Sequence, residues 1–278
     1  NIDFVLYPGN AAGPKWTDDF NYDKEYFEKL RDNTGNFYTS TTAFEIDTPE
    51  KLAAIAKVVN TTTGRDFVNK TIVLAQDIDL AKYQWDPIGK DDKTYFFRGS
   101  LDGQNKTIRN LTIGSKTIPS PNISAGLFGY IHTAYTNAEI KNVNLVNVNI
   151  NISTSSLVYE SGIGSLVGYV KGAYLIISKV TAKEGNIKSG ANNNRTGGLI
   201  GYVSDSITVK DCTTSINVES LGTTVGGLIG FNINHKLIEN CSATGNVTGK
   251  NTVGGLFGSN SFGIPIKNCF ATGNVTGE

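Results

Sequence analysis

Gly226-Gly227-Leu228-Ile229-Gly230, followed eight residues later by Ile238-Glu239-Asn240-Cys241, returns 28 residues on as Gly254-Gly255-Leu256-Phe257-Gly258 and Ile266-Lys267-Asn268-Cys269. Working toward the N-terminus, the same two elements keep their order. Gly198-Leu199-Ile200-Gly201 precedes Val209-Lys210-Asp211-Cys212, and Ser165-Leu166-Val167-Gly168 precedes Ile177-Ser178-Lys179-Val180. Gly126-Leu127-Phe128-Gly129 precedes Ile140-Lys141-Asn142-Val143, and Ile108-Arg109-Asn110-Leu111 stands alone further upstream. The closing glycines Gly129, Gly168, Gly201, Gly230 and Gly258 are 39, 33, 29 and 28 residues apart. Two independent elements that hold one order at a regular period define an internal repeat.

The unit is strand-like. Ile, Val, Leu and Thr dominate, Gly and Asn punctuate, and the helical i, i+3, i+4 pattern is missing. A unit of about 28 residues accommodates roughly three short strands with their turns, and it cannot bury its own apolar side; stacking on its neighbours makes a continuous core. The expected fold is all-β, a right-handed parallel β-helix with a small α/β cap at its N-terminus, since parallel crossovers are nearly always right-handed. Successive turns should lie ~4.8 Å apart. Gly201, Gly230 and Gly258 then fall where the strand bends or where a side chain would strike a neighbouring turn. Asn240 and Asn268 suit corners, because Asn tolerates the left-handed conformation.

Gly-Gly-Leu-Ile-Gly, together with Phe97-Arg98-Gly99-Ser100-Leu101-Asp102-Gly103 and Ile108-Arg109-Asn110-Leu111 upstream, resembles the GLUG-motif proteins, over roughly residues 44 to 278. These are repeat-bearing bacterial surface proteins, including regions of immunoglobulin A1-specific metallopeptidases. The resemblance implies an extracellular or cell-surface location, and a helix and strands preceding the coils. It says little about activity, since the motif travels on proteins with different activities. Ser165 stands where Gly is usual and Lys179 where Asn is.

Three segments are expected. Residues 1–43 carry no repeat and are aromatic-rich, with Trp16, Phe20, Tyr22, Tyr26, Phe27, Phe37 and Tyr38 among them; they read as cover for the first turn, against the alternative of a separate binding lobe. Residues 44–96 supply a helix and strand: Thr48-Pro49-Glu50 is a strong helix start, the helix should run to about Asn60, and Thr71 to Leu80 reads as a strand. Trp85-Asp86-Pro87-Ile88-Gly89 reads as a turn into the coil of residues 97–278. Val275-Thr276-Gly277 repeats Val247-Thr248-Gly249, which suggests a coil that continues in a longer protein.

Composition narrows the partners. Lys+Arg and Asp+Glu both number 25, leaving no net charge and no long basic run, whereas nucleic acid and anionic membranes call for clustered cations. No apolar stretch approaches the roughly 20 residues that span a bilayer. The three cysteines make no disulfide framework. Their spacing is the repeat itself, so Cys212, Cys241 and Cys269 should form one column of small buried groups, continuing Val143 and Val180.

Candidate sites are few. Of the 25 acidic residues, 17 precede residue 125, so a glycosidase- or lyase-like enzyme would have to use Asp77, Asp79, Asp86, Asp91, Asp92 and Asp102. Asp77 and Asp79 share a strand face and are the candidate metal ligands. Lys141, Lys210, Glu239 and Lys267 share a column that reads as a solvated face. With two histidines and no His-Glu-x-x-His, no metallopeptidase signature is present. Tyr130, Tyr169, Tyr202 and Phe231 follow successive glycine elements: pointing outward they would form a ligand-binding aromatic ladder, pointing inward they would be core. The leading functional expectation is a non-enzymatic adhesin or stalk module without a cofactor, holding host or bacterial surface glycan or protein. The alternatives are a carbohydrate-active β-helix enzyme and the spacer of a surface peptidase.

Overall fold

The structure, a computed structural model, describes residues 14–90, 94–115, 124–133, 137–153, 160–172, 174–190, 195–233, 235–261 and 265–277. The chain is mostly β, and the ladders between its named strands are all parallel. One sheet holds Phe128–His132, Val167–Lys171, Ile200–Val203, Ile229–Asn232 and Phe257–Asn260, paired in repeat order. A second holds Gly162–Ile163, Arg195–Gly197, Thr224–Gly226 and Thr252–Gly254. The longest sheet takes the rest of each repeat, including Ala138–Ile152 on Leu175–Ser189, and begins upstream with Ala43–Ile46 on Thr71–Leu74. Each residue therefore sits over its equivalent one repeat away, as in Ile177 over Ile140 and Val209 over Ile177.

The later repeats contain five short strands, not three. Between Thr224 and Gly249 these are Thr224–Gly226, Ile229–Asn232, His235–Glu239, Ser242–Ala243 and Val247–Gly249. One extra break in these repeats falls at a corner residue, Asp211 or Asn240, whose counterparts Asn142 and Lys179 lie inside the unbroken strands Ala138–Ile152 and Leu175–Ser189. Asn142, Lys179, Asp211, Asn240 and Asn268 all take φ between 51° and 54°, the left-handed region that Asn and Asp enter at least cost. Their side chains join: Asn268 Nδ2 donates to Asn240 Oδ1 at 3.2 Å, and Asn240 Nδ2 to Asp211 Oδ1 at 2.9 Å. Lys179 occupies the same backbone conformation without that side-chain link.

The repeating glycine has a steric cause. A Cβ on Gly201 would lie 2.2 Å from the Ile163 nitrogen, on Gly230 2.5 Å from the Thr196 nitrogen, and on Gly258 2.4 Å from the Val225 nitrogen. The five-stranded sheet touches the four-stranded one backbone to backbone at this column. Of the two expected causes, a bend and a collision with a neighbouring segment, the contacts support the collision.

Among the described residues, three helices precede or interrupt the first strands: α1 (Lys24–Arg31), α2 (Phe37–Ser40) and α3 (Pro49–Thr61). In α3 the Thr48 hydroxyl accepts from the Lys51 nitrogen at 3.2 Å, the cap its sequence predicts. Sequence reading missed α1, although Asp23 caps it by accepting from the Tyr26 nitrogen, with Glu25 in the first turn and Lys29 and Arg31 in the last. The strand expected over 71–80 is split into Thr71–Leu74 and Ile78–Asp79.

Trp85 to Gly89 does more than turn. The Ile88 nitrogen donates to the Leu127 carbonyl at 3.0 Å, the Trp85 indole donates to the same carbonyl at 3.1 Å, and Ile88 bridges Phe128. Buried Asn60 of α3 clamps this segment, donating to Pro87 O and accepting from Gly89 N, both at 2.9 Å. One hydrophobic cluster runs from Trp16 through Tyr38, Phe44 and Phe67 to Ala243. Of the N-terminal aromatics, Trp16, Tyr22, Phe27 and Tyr38 are buried, whereas Phe20 is 85% exposed.

The linkers from the longest sheet to the four-stranded sheet vary in length. Ile152 to Gly162, Ser189 to Arg195, Ser220 to Thr224 and Gly249 to Thr252 are steps of 10, 6, 4 and 3 residues, so this corner absorbs part of the shortening of the repeat toward the C-terminus.

Two stability measurements follow. Gly230→Ala should lower the denaturant midpoint by the equivalent of about 1–3 kcal/mol, while Gly190→Ala, whose Cβ would have its nearest neighbour at 3.7 Å, should leave it nearly unchanged. Lys179→Asn should raise stability by about 0.5–1 kcal/mol, by relieving the left-handed backbone and placing an amide between Asn142 and Asp211. Equal effects of the two glycine variants would refute the backbone contact, and an unchanged midpoint for Lys179→Asn would refute the corner account.

Candidate functional site

Strand pairing builds the aromatic column. Tyr130, Tyr169, Tyr202 and Phe231 are partners across consecutive strands, and Ser259 ends the row. Their ring centroids step by 4.8, 4.8 and 5.4 Å, close to the ~4.8 Å separation of strands. Neighbours such as Val167 and Val170 belong to the main core, while the rings form a second cluster with Phe96 and Ile233.

The column is covered. Tyr130, Tyr169 and Tyr202 are 4%, 1% and 7% exposed, and only Phe231 is partly open. The rings lie against one another, and the Arg195 guanidinium sits 4.4 Å from the Tyr202 centroid and 5.4 Å from that of Phe231. A sugar therefore finds no open ring face on Tyr169. The rings are neither in the main core nor on the surface, an outcome that strand alternation alone does not anticipate. Burial pushes the Tyr169 phenol well above its ordinary range, against a smaller lowering by its hydrogen bond to Ser204 Oγ at 3.1 Å. Burial also raises Tyr202, opposed by the charge of Arg195.

Beside the column lies a corner that sequence reading missed. Tyr174 is 49% exposed and has φ 78°, a conformation uncommon for a bulky residue that Phe20 and Phe67 also adopt. Its nitrogen donates to Ser206 O at 3.3 Å and its carbonyl accepts from Ala138 N at 3.4 Å, so both adjoining repeats hold it. The Lys236 amine stands 4.3 Å from its ring centroid. Asp205 Oδ2 accepts from Gly172 N at 2.9 Å, and Lys171 pairs with Glu160 at 3.1 Å. At the corner's edge, burial holds His132 below the usual imidazole range, reinforced by Lys171 and Arg98. An exposed ring with an amine over it and a carboxylate on the neighbouring backbone combines apolar and polar contacts of the kind that sugars and polar peptides use. The one sequence signal for it was Gly172, two residues ahead, which takes φ 97°.

The N-terminal acids have protein partners. Asp77 accepts from Thr107 N at 2.8 Å and faces Arg109 at 3.5 Å; Asp79 accepts from Ala81 N and Asn110 Nδ2 and lies 3.9 Å from Arg109. Asp86 is held by Lys15 and Thr17, and Asp102 by Gln104 N and Asn142 Nδ2. Asp91 and Asp92 lie outside the described residues. Among the described residues, no group of three or more His, Cys, Asp or Glu side chains converges to hold a metal ion. The charged column is real in register, with Ser178 between Lys141 and Lys210, then Glu239 and Lys267. Cys212 and Cys241 are buried in the main core, and Cys269 is partly buried against it.

The folded chain is thus a mostly β repeat protein with parallel sheets. It carries the GLUG motif: the family profile of that name matches residues 222–248, the repeat that contains Gly230 and Asn240. It is 31% identical over 197 residues to halomucin of Haloquadratum walsbyi (strain DSM 16790 / HBSQ001), an alignment covering 66% of this chain and 2% of that protein. The chain therefore spans only a small fraction of the length of this relative. A crystal structure of a candidate immunoglobulin A1 protease from Bacteroides ovatus superposes with a TM-score of 0.60 at 21% identity, covering 84% of this chain and 67% of that one. At that identity the likeness is one of fold. Among the described residues, no helix is long and apolar enough to cross a membrane.

The buried phenols make stability fall at high pH. An unfolded tyrosine ionises near pH ~10, while burial raises Tyr169 and Tyr202 and pushes Tyr38 up to about 12. Their stabilising contribution is complete below pH ~10 and is lost as the pH climbs toward the raised folded values. Phenolate absorbance should lag behind that of the unfolded chain, and Tyr169→Phe should lessen the alkaline loss of stability. Titration of every tyrosine near pH ~10 with the fold intact would show the column to be open to water.

Proposed function

We propose that this chain is a non-enzymatic, extracellular module of a larger cell-surface protein: a right-handed parallel β-helix that carries or spaces its partners along its side. In this reading residues 1–43 and 44–96 cap the coil of residues 97–278. The observation that supports it most is the in-register pairing of consecutive repeats in all three sheets. Such a stack is stiff, presents identical positions at regular intervals, and lengthens by adding units. Similarity to halomucin and the GLUG motif supports the surface location.

The partner is a surface glycan or protein of host or bacterial origin, received at the corner of Tyr174, Asp205, Ser206 and Lys236. The pairing of Asp77 and Asp79 with Arg109 favours a structural role for these acids over an acid/base one.

Binding to glycan and protein arrays, with polysaccharide breakdown followed in parallel, tests this. Binding without breakdown is expected. Tyr174→Ala should weaken it about tenfold, the worth of one lost aromatic contact, and Asp77→Asn should leave it unchanged. Polysaccharide cleavage abolished by Asp77→Asn or Asp102→Asn would overturn the non-enzymatic reading.

A further inference from the structure

The three cysteines offer a chemistry that the packing role leaves unused. Pairing of Thr213 with Ser242 and of Ser242 with Phe270 sets the residues just before them, Cys212, Cys241 and Cys269, in register on neighbouring strands. Strands ~4.8 Å apart fall within the Cα separation that a disulfide spans, about 4.4–6.8 Å. Each sulfur touches a carbonyl of its own repeat, Lys210 O at 3.2 Å, Glu239 O at 3.1 Å and Lys267 O at 3.1 Å, and also reaches the preceding repeat, at Ile177 O (3.8 Å), Val209 O (3.7 Å) and Ile238 O (3.8 Å). Cys269 Sγ also accepts from Cys241 N at 3.4 Å, so it already rests against the residue it would join. All three thiols are free.

We propose that Cys241 and Cys269 form a disulfide when the folded chain meets a small-molecule disulfide, tying two consecutive repeats and leaving Cys212 as a buried thiol. Geometry chooses the pair: the Cys269 sulfur already accepts from the Cys241 nitrogen, and in this chain Cys269, which lies in the last described repeat with no strand stacked over it, is the partly exposed thiol, whereas Cys241 and Cys212 are 1% and 0% exposed. The Cys269 thiolate attacks one sulfur of the oxidant, whose S–S bond breaks and whose other half leaves as a thiolate. Cys241 Sγ then attacks the Cys269 sulfur of this mixed disulfide, forming the internal bond and expelling the second small thiol. Two protein thiols are oxidised, one external disulfide is reduced, and the two protons pass to the released thiolates. Contact with Cys212 holds the Cys241 thiol below its ordinary range, which suits the second attack, while burial raises Cys269 and makes the first step faster in mild alkali. The extracellular setting argued above is where such bonds persist, but the chemistry does not depend on the partner being a glycan.

Incubation of the folded chain with oxidised glutathione at pH ~8.5, near the ordinary thiol pKa, tests the pair. Thiol counting should fall from three to one, non-reducing peptide mass mapping should find Cys241 joined to Cys269, and Tm should rise and return on reduction. Cys269→Val, which supplies the residue found in this column at Val143 and Val180, should fold normally, form no bond and keep two thiols. Cys241→Val should stop at the mixed disulfide. Three persistent thiols, a Cys212–Cys241 bond, or cross-linked dimers would each overturn the proposal.

Discussion

The hydrogen-bonded contact between equivalent residues of consecutive repeats governs this molecule. Once the Ile177 backbone lies over Ile140, every neighbouring side chain is committed to a column with its counterparts. Column composition then answers to elementary rules. Apolar columns fill the core, and amide columns link through their own donors and acceptors. A charged column must be diluted, because like charges stacked at strand spacing repel. The row Lys141, Ser178, Lys210, Glu239, Lys267 meets that demand with a serine and an acid between lysines.

The second constraint is closeness. At Gly201, Gly230 and Gly258 two sheets meet through their backbones, so even a methyl group has nowhere to go. Strand pairing holds the stack along its length, and the glycine column holds it across its width. The N-terminal region joins the same structure: Asn60 reaches from α3 to the Pro87–Gly89 segment, which pairs with the first glycine element. The helices and the repeats thus share one core, running from Trp16 to Ala243.

Much of this was legible because it is written in residues with few alternatives. Glycine at a fixed period signals close approach, asparagine between apolar residues signals a left-handed corner, and Thr48-Pro49-Glu50 signals a helix. The number of strands was not legible, since corner residues such as Asp211 and Asn240 divide a run whose propensities are uniformly extended. Helix α1 is masked in the sequence by its aromatics, Tyr26 and Phe27, although Asp23 and the charged first and last turns carry a helix signal. The tyrosine column was readable as a column but not as to side, because the strand places Tyr169 opposite Val167 and Val170 through a glycine. Tyr174 was hard to read for a deeper reason: its conformation is imposed by the repeats on either side, and only Gly172 hints at it locally.

The linkers of 10, 6, 4 and 3 residues carry an implication for how such a molecule diversifies. Chain length changes at that corner while the flanking ladders keep their register, so selection can experiment there without disturbing the scaffold. It is also where an engineer would graft a foreign epitope or enzyme-recognition peptide, with a choice of heights along the stack for display.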